Sequence, residues 1–300
     1  MSILVVGSVA FDSVKTPHGA VSEAIGGSAT YFSAAASFFA PVRLVAVVGQ
    51  DFSMDALAFL RHRSVDFSGL EVADGQTFRW AGEYEPNMND RRTLDTQLNV
   101  FASFRPMLSD VHREMEFVFL ANIDPELQSE VLNQVTRPRL VICDTMDFWI
   151  TGKYAALLST LARVDVLIIN DGEARQLAQE FNLVRAARRI LEFGPRAVVV
   201  KRGEHGATLV TNDSYFAVPA YPVVSVTDPT GAGDSFAGGF VGYLAKTQET
   251  NDAGLKRAMI HGSVMASFNV EDFSVRRLAT LTHGEIDQRL HAFMEMLRFE

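Results

Sequence analysis

Two kinds of apolar pattern alternate along this chain. Short unbroken runs rich in Val, Ile and Leu recur at Ile3 to Val6, Leu44 to Val48, Phe117 to Leu120, Val166 to Ile169 and Ala197 to Val200. Runs without polar interruption are how strands read when helices cover both faces of a parallel sheet. Between them apolar residues fall at helical spacing. Phe52, Ala56 and Phe59-Leu60 share one face of the segment Phe52 to Arg61, and Ala253 to Phe268 repeats small and apolar residues in the same way. The alternation predicts a doubly wound α/β core.

Two segments break the rhythm. Lys15 to Glu23 reads as a turn-rich excursion after the first strand. Gly75 to Phe104 mixes Thr, Phe, Trp and Tyr with alternating polar residues, which predicts antiparallel strands at Thr77 to Tyr84 and Thr93 to Val100 around a Pro86-Asn87-Met88-Asn89 turn. The expectation is one domain over residues 1–300, with lid segments at about 13–25 and 74–104 inserted in the core, because no repeat or low-complexity linker divides the chain.

Composition narrows the function classes. The 300 residues are 48% hydrophobic and 21% charged, which excludes a disordered or fibrous chain. With 27 Lys+Arg against 36 Asp+Glu the formal charge is -9, and no basic stripe offsets it, so nucleic acid is not an expected partner. The lone Cys143 lies in an apolar run and reads as a buried structural thiol in a reducing compartment. Every apolar run is far shorter than the ~20 residues that span a bilayer, and Met1-Ser2 offers no basic leader. No membrane partner is expected, and a cytoplasmic location follows.

The strongest chemical signal is Thr227-Asp-Pro-Thr-Gly-Ala-Gly-Asp-Ser-Phe-Ala-Gly-Gly-Phe240. Pro229 stiffens the entry, Gly231 and Gly233 let the backbone approach a ligand, and Phe236, Phe240 and Leu244 give the apolar face of a following helix. The free N–H groups at that helix start form an anion site, and Asp234 stands beside it. A carboxylate next to a phosphate-sized anion hole suits a base that takes a proton from an attacking hydroxyl while the N–H groups stabilise the transferred group. A first-turn Asp that only complements the helix dipole is the plainer meaning. No Gly-x-x-x-x-Gly-Lys-Ser/Thr occurs, and Phe236 stands where a dinucleotide fingerprint needs glycine, so Walker-A and Rossmann readings fall away.

These residues resemble the PfkB or ribokinase-like carbohydrate and nucleoside kinases. Asp228 to Asp234 looks like that family's C-terminal signature and Gly26-Gly-Ser-Ala-Thr-Tyr-Phe-Ser-Ala-Ala35 like its N-terminal one. The likeness runs nearly end to end, through Gly7 to Asp12, Val48 to Asp51, Asn170 to Glu173 and Lys201 to Gly206. It implies a three-layer αβα ribokinase-like core with a mainly parallel central sheet and a β lid, ATP as phosphoryl donor, Mg²⁺, and a sugar or nucleoside hydroxyl as acceptor. By the same resemblance Asp234 is the catalytic base, Gly231, Ala232 and Gly233 form the anion hole, and Asp228 and Thr230 match positions that hold a monovalent cation, usually K⁺. Asn170 and Glu173 match a motif associated with Mg²⁺ and its waters, although Asn followed three residues later by Glu is also a capping box.

Lys201, Gly203 and Gly206 are candidates for nucleotide contact, with His261 placed near the adenine; a turn between strands and a packed histidine are the plainer meanings. Asp12 is expected over the carboxyl edge of the first strand, chelating acceptor hydroxyls beside Gly26, Gly27 and Tyr31. Ala10 and Tyr31 stand where sugar-specific relatives often carry Asn, and Tyr31 with Trp80 offers an aromatic face for a base. Lid residues Arg79, Trp80 and Tyr84 either close over the acceptor or form a packing face or dimer surface. The reading is a carbohydrate kinase with a sugar acceptor; a nucleoside kinase and a catalytically silent sensing relative are the rivals.

Overall fold

The computed structural model describes residues 1–298. A nine-stranded sheet forms its centre. In chain order its members are β1 (Ile3–Val6), β4 (Val42–Gly49), β5 (Val65–Ala73), β8 (Phe117–Leu120), β9 (Leu140–Asp144), β10 (Val166–Asn170), β11 (Ala197–Lys201), β12 (Ala207–Thr211) and β13 (Tyr215–Val218). The intervening β2 (Ala10–Thr16), β3 (Gly19–Gly26), β6 (Phe78–Tyr84) and β7 (Arg91–Gln97) make a second, four-stranded sheet in the order β3-β2-β6-β7.

The large sheet runs β13-β12-β11-β10-β9-β8-β1-β4-β5, parallel from β11 to β5, with β12 and β13 added as antiparallel strands at one edge. Its strands are buried on both faces, as their unalternated sequences require. Ile3 and Val5 enter one hydrophobic core and Leu4 and Val6 the other. The first core holds the helices Ser28–Ala36, Ala232–Thr247 and Asp252–Asn269. Phe32 stacks on Phe119 with ring centroids 4.2 Å apart, fixing the first of these helices to the sheet. From β1 the strand order departs in both directions, to β4 and to β8, so the carboxyl ends of β1 and β8 mark the topological switch at which open α/β sheets bind ligands.

The small sheet is the lid. Lys15 to Glu23, expected as a turn-rich excursion, lies in the hairpin of β2 and β3, paired from Ala10↔Gly26 to Thr16↔Gly19. The second insertion forms β6 and β7 around the expected turn, closed by Glu85 N donating to Asp90 O at 2.9 Å. The second strand begins earlier than the sequence suggested and stops at Gln97, because Asn99 adopts φ 48 and starts a 3-10 turn, Asn99–Ser103. The helix expected over Phe52 to Arg61 is two short pieces, the 3-10 turn Met54–Leu57 and the helix Ala58–Arg61. A parallel pairing of β2 with β6 joins the two insertions.

Candidate active site

Where β10 ends, Asn170 caps the helix Asp171–Ala178. Its Oδ1 accepts from Glu173 N at 2.8 Å, and Glu173 Oε2 accepts from Asn170 N at 3.0 Å. The capping box is therefore real. It occupies one Glu173 oxygen and leaves the other unassigned on a carboxylate whose pKa burial pushes up to about 7.

Neighbouring strand ends add two charges. Asp144 closes β9 and is 4% exposed, and Lys201 closes β11 with its Nζ 3.4 Å from Asp144 Oδ2. Burial raises the pKa of Asp144 in spite of that lysine. Lys201 also reaches the start of the helix Ala232–Thr247, where a Cβ added at Gly233 would lie 2.7 Å from Nζ.

That helix start is shaped by Gly231, whose φ of 73 is left-handed and whose missing side chain leaves room for the ring of Tyr31. Ala232 N donates to Pro229 O and Ser235 N to Gly231 O. The N–H groups of Gly233 and Asp234 have no backbone acceptor among the described residues. The Thr230 carbonyl is engaged by Asn269 Nδ2 at 2.7 Å, and Asn269 Oδ1 accepts from Ser235 Oγ at 3.0 Å. This fully buried asparagine clamps the turn from behind. Asp228 clamps it from the front, accepting Thr230 N at 2.9 Å and Ser274 N at 3.1 Å. Asp234 sits half-buried at the cleft floor; desolvation first, then the charge of Asp144, raise its pKa well above the ordinary carboxylate range.

Opposite this floor stands the lid. Asp12 lies within β2, several residues beyond the end of β1, so it belongs to the lid sheet rather than to the edge of the first strand. It is 5% exposed, packed against Gly26 where no Cβ fits, and burial pushes its pKa up to about 7. In the β2–β6 register Asp12 pairs with Trp80, which puts both side chains on one face of the lid. Tyr84, on the same strand, brings its hydroxyl 3.4 Å from Thr230 Oγ1. Tyr31 does not join Trp80 in an aromatic clamp, because its ring is spent against Gly231. Arg79 faces the other way, bonded to Asp51 at 2.7 Å and Glu23 at 2.8 Å.

The loop after β11 is tight, with Arg202 N donating to Gly206 O at 2.8 Å and left-handed φ values of 53 at Gly203 and 82 at Gly206. His261 packs among aromatic side chains. Its ring stacks on Tyr243 at 4.3 Å and meets Phe39 edge-on, lining a cavity of about 120 Å³ with Lys246, His283 and Asp287. Tyr243 is twelve residues, about 18 Å, along its helix from Gly231. Burial lowers the His261 pKa to about 4, so the ring is neutral and packed.

Residues 2–280 match the family described as "pfkB family carbohydrate kinase". The chain belongs to the PfkB family. This PfkB kinase is 28% identical over 270 residues to a cytidine kinase of Thermococcus kodakarensis, covering 86% of its own length and 95% of the relative. Its fold is that of solved ribokinase-family structures. A putative ribokinase II from E. coli in complex with ATP and Mg²⁺ superposes with a TM-score of 0.77 at 20% identity, covering 97% and 99% of the two chains. The Burkholderia thailandensis nucleoside kinase in complex with inosine gives 0.78 at 19% identity, covering 98% and 99%. Among the described residues, no helix is long and apolar enough to cross a membrane.

Asp144 and Asn269 escaped the sequence analysis. Asp144 had a readable signal, a carboxylate ending a wholly apolar strand; Asn269 had none.

Proposed function

We propose that this PfkB kinase transfers the γ-phosphoryl group of ATP to a hydroxyl of a small polyhydroxylated acceptor. The observation that carries the reading is the opposition of two carboxylates across one cleft, the half-buried Asp234 at an uncapped helix start and the buried Asp12 on the lid. Asp12 accepts two hydroxyl hydrogen bonds from a vicinal diol and holds the acceptor. Asp234 takes the proton as the acceptor oxygen bonds to phosphorus, and the electron pair of the breaking P–O bond leaves on ADP. The free N–H groups of Gly233 and Asp234, with Lys201 beside them, carry the charge of the transferred group.

Asp144, Glu173 and Asp234 meet Lys201 at the floor and Arg91 from the lid, three carboxylates against two cations, which leaves negative charge that suits a hydrated divalent cation. Among the described residues no three acidic, histidine or cysteine side chains converge to hold a bare metal, which favours contact through water. Glu173 and Asn170 would hold Mg²⁺ there through water, and the ion would supply neutralisation of charge on the phosphates. K⁺ is assigned to Asp228 and Thr230, where it would brace the turn that Asp228 already clamps; rates in K⁺ against Na⁺ test it.

A ribonucleoside is the acceptor best supported. Asp12 and Trp80 stand side by side on the lid face, one suited to a ribose diol and the other to a base, and a cytidine kinase is matched over 95% of its length and a nucleoside kinase over 72%, against 74% and 71% for two inositol 3-kinases. A free sugar or cyclic polyol is the second reading, favoured by the loss of Tyr31 as a stacking partner. ADP release from MgATP with cytidine, inosine, adenosine, ribose, fructose and myo-inositol decides between them. No release with any acceptor, in a folded protein, would overturn the kinase reading in favour of a silent relative.

A further inference from the structure

A glutamine is buried in the core that Leu4 and Val6 enter. Gln128 lies on the helix Pro125–Leu132, whose Leu127, Val131 and Leu132 belong to that core, and the residue is 0% exposed. An amide in such a place is destabilising unless its polar atoms are bonded, so its partners say why it is there. Nε2 donates to Ala121 O at 2.9 Å and to Asp144 O at 3.0 Å, with Leu120 O a longer contact at 3.5 Å. Oε1 accepts from Cys143 Sγ at 3.5 Å.

These carbonyls mark the place where two strands part. The parallel register of β8 and β9 runs from Phe117↔Leu140 to Leu120↔Cys143 and stops. Ala121 and Asp144 are the next residue on each chain segment, and the amide of Gln128 bridges their carbonyls. A side chain from outside the sheet thus supplies one more rung at the carboxyl ends of the strands, where open α/β sheets bind ligands.

Asp144 is fixed at both ends by this arrangement. Its carbonyl is tied to the core through Gln128. Its carboxylate accepts from the N–H of Thr145 at 2.8 Å through Oδ1, while Oδ2 faces Lys201 Nζ at 3.4 Å. Lys201 in turn stands against Gly233 at the start of the helix Ala232–Thr247. One line of contacts therefore runs from a buried helix face, through Gln128 and Asp144, to the ammonium beside the anion site.

We propose that Gln128 is a positioning residue of this kinase. Sealed from the cleft, it acts through Asp144, setting the strand end so that the carboxylate holds the Lys201 ammonium against the helix start. The inference rests on the phosphotransfer reading above, in which that ammonium carries charge of the transferred group. An oriented charge displaced by about 1 Å weakens transfer steeply. Binding of the nucleotide before transfer spreads over more contacts and is less sensitive.

The test is a double-mutant cycle in the full chain, with Gln128→Met, Asp144→Ala and the pair. Each is assayed with saturating MgATP and the fastest acceptor of the panel, well below its unfolding temperature. Gln128→Met keeps the reach of the side chain and removes both N–H donors. It is expected to lower Tm, and to lower kcat by about tenfold or more while the MgATP Kd stays within about threefold. In the Asp144→Ala background the same change should lower Tm again but leave kcat within about twofold, because the group it acts through is gone. Should Gln128→Met not fold, Gln128→Asn, whose amide is one methylene short, is read in the same cycle. A glutamine that only stabilises the fold moves Tm alone, so wild-type kcat in the folded variant overturns the proposal. Losses in kcat that add in the double variant overturn it as well, as does wild-type kcat in Asp144→Ala. A wild-type protein that neither binds MgATP nor releases ADP removes the kinase reading itself, and the proposal with it.

Discussion

The phenol ring of Tyr31 fills the space that a side chain on Gly231 would occupy. One contact therefore links the floor of the acceptor region to the first residue of the anion site. Gly231→Ala meets both the ring and a left-handed φ of 73, and is expected to cost about 1 kcal/mol or more of stability. Activity should fall by about 100-fold or more, since a small displacement of oriented N–H donors weakens transfer steeply. Chemical denaturation and steady-state rates check the two effects, and a folded variant with wild-type turnover would refute the contact's importance.

Asp234→Asn separates chemistry from folding. Its folded-state pKa is raised, so the native state holds a proton that the unfolded chain releases, and the ionised carboxylate costs stability as pH rises from the acid range through the folded pKa. Asp12 and Glu173, both pushed up to about 7, act in the same direction. The ligand-free protein should thus be more stable at pH 5.5 than at pH 8.5. Asp234→Asn should shrink that difference and raise Tm at pH 8.5, while kcat drops by about 100-fold or more. In the wild type kcat/KM should climb with pH over the neutral range as the base ionises. A Tm of Asp234→Asn that is lower at every pH would contradict the burial argument.

Glu173 has a structural duty and a proposed metal duty. Glu173→Gln keeps an acceptor oxygen for Asn170 N, so stability should change little, but the Mg²⁺ concentration for half-maximal rate should rise several-fold. Glu173→Ala loses the cap too, at about 0.5–2 kcal/mol. If both variants show the wild-type Mg²⁺ titration, the residue is a cap alone.

Trp80 reports on the lid. It shares a face with Asp12, whereas Trp149 donates its Nε1–H to Asn122 Oδ1 at 3.1 Å away from the lid sheet. In a Trp149→Phe background, emission should shift when an acceptor that turns over is added. Unchanged emission would separate Trp80 from acceptor binding.

Strands of the core were legible because burial on both faces removes polar residues and leaves unbroken Val, Ile and Leu. The Asn170 and Glu173 pair was legible as a cap for the local reason that its bonds span three residues. The lid was harder. Asp12 was expected at the edge of the first strand because β2 follows β1 after only three residues, and nothing local says that the chain has changed sheets. Arg91 and Arg92 look alike as a solvated pair in a charged turn; only the register with Tyr84 sends one inward and the other to Glu83. His261 was expected near the adenine, and helix position alone says nothing of the aromatic pair, Phe39 and Tyr243, that encloses it.

The parallel seam between β2 and β6 joins strands some sixty residues apart in the chain, each rooted in a different crossover of the large sheet. Neither half can find the other until β1, β4 and β5 have set their roots side by side, so the lid is expected to assemble last, at a high loop-closure cost. Its outer strands β3 and β7 each have a single hydrogen-bonded neighbour. Their amides should exchange with solvent deuterium well before those of β1 or β8, through openings that leave the core intact. Slow folding of this small sheet and easy opening in the native state then have one origin, the distance along the chain between its two halves.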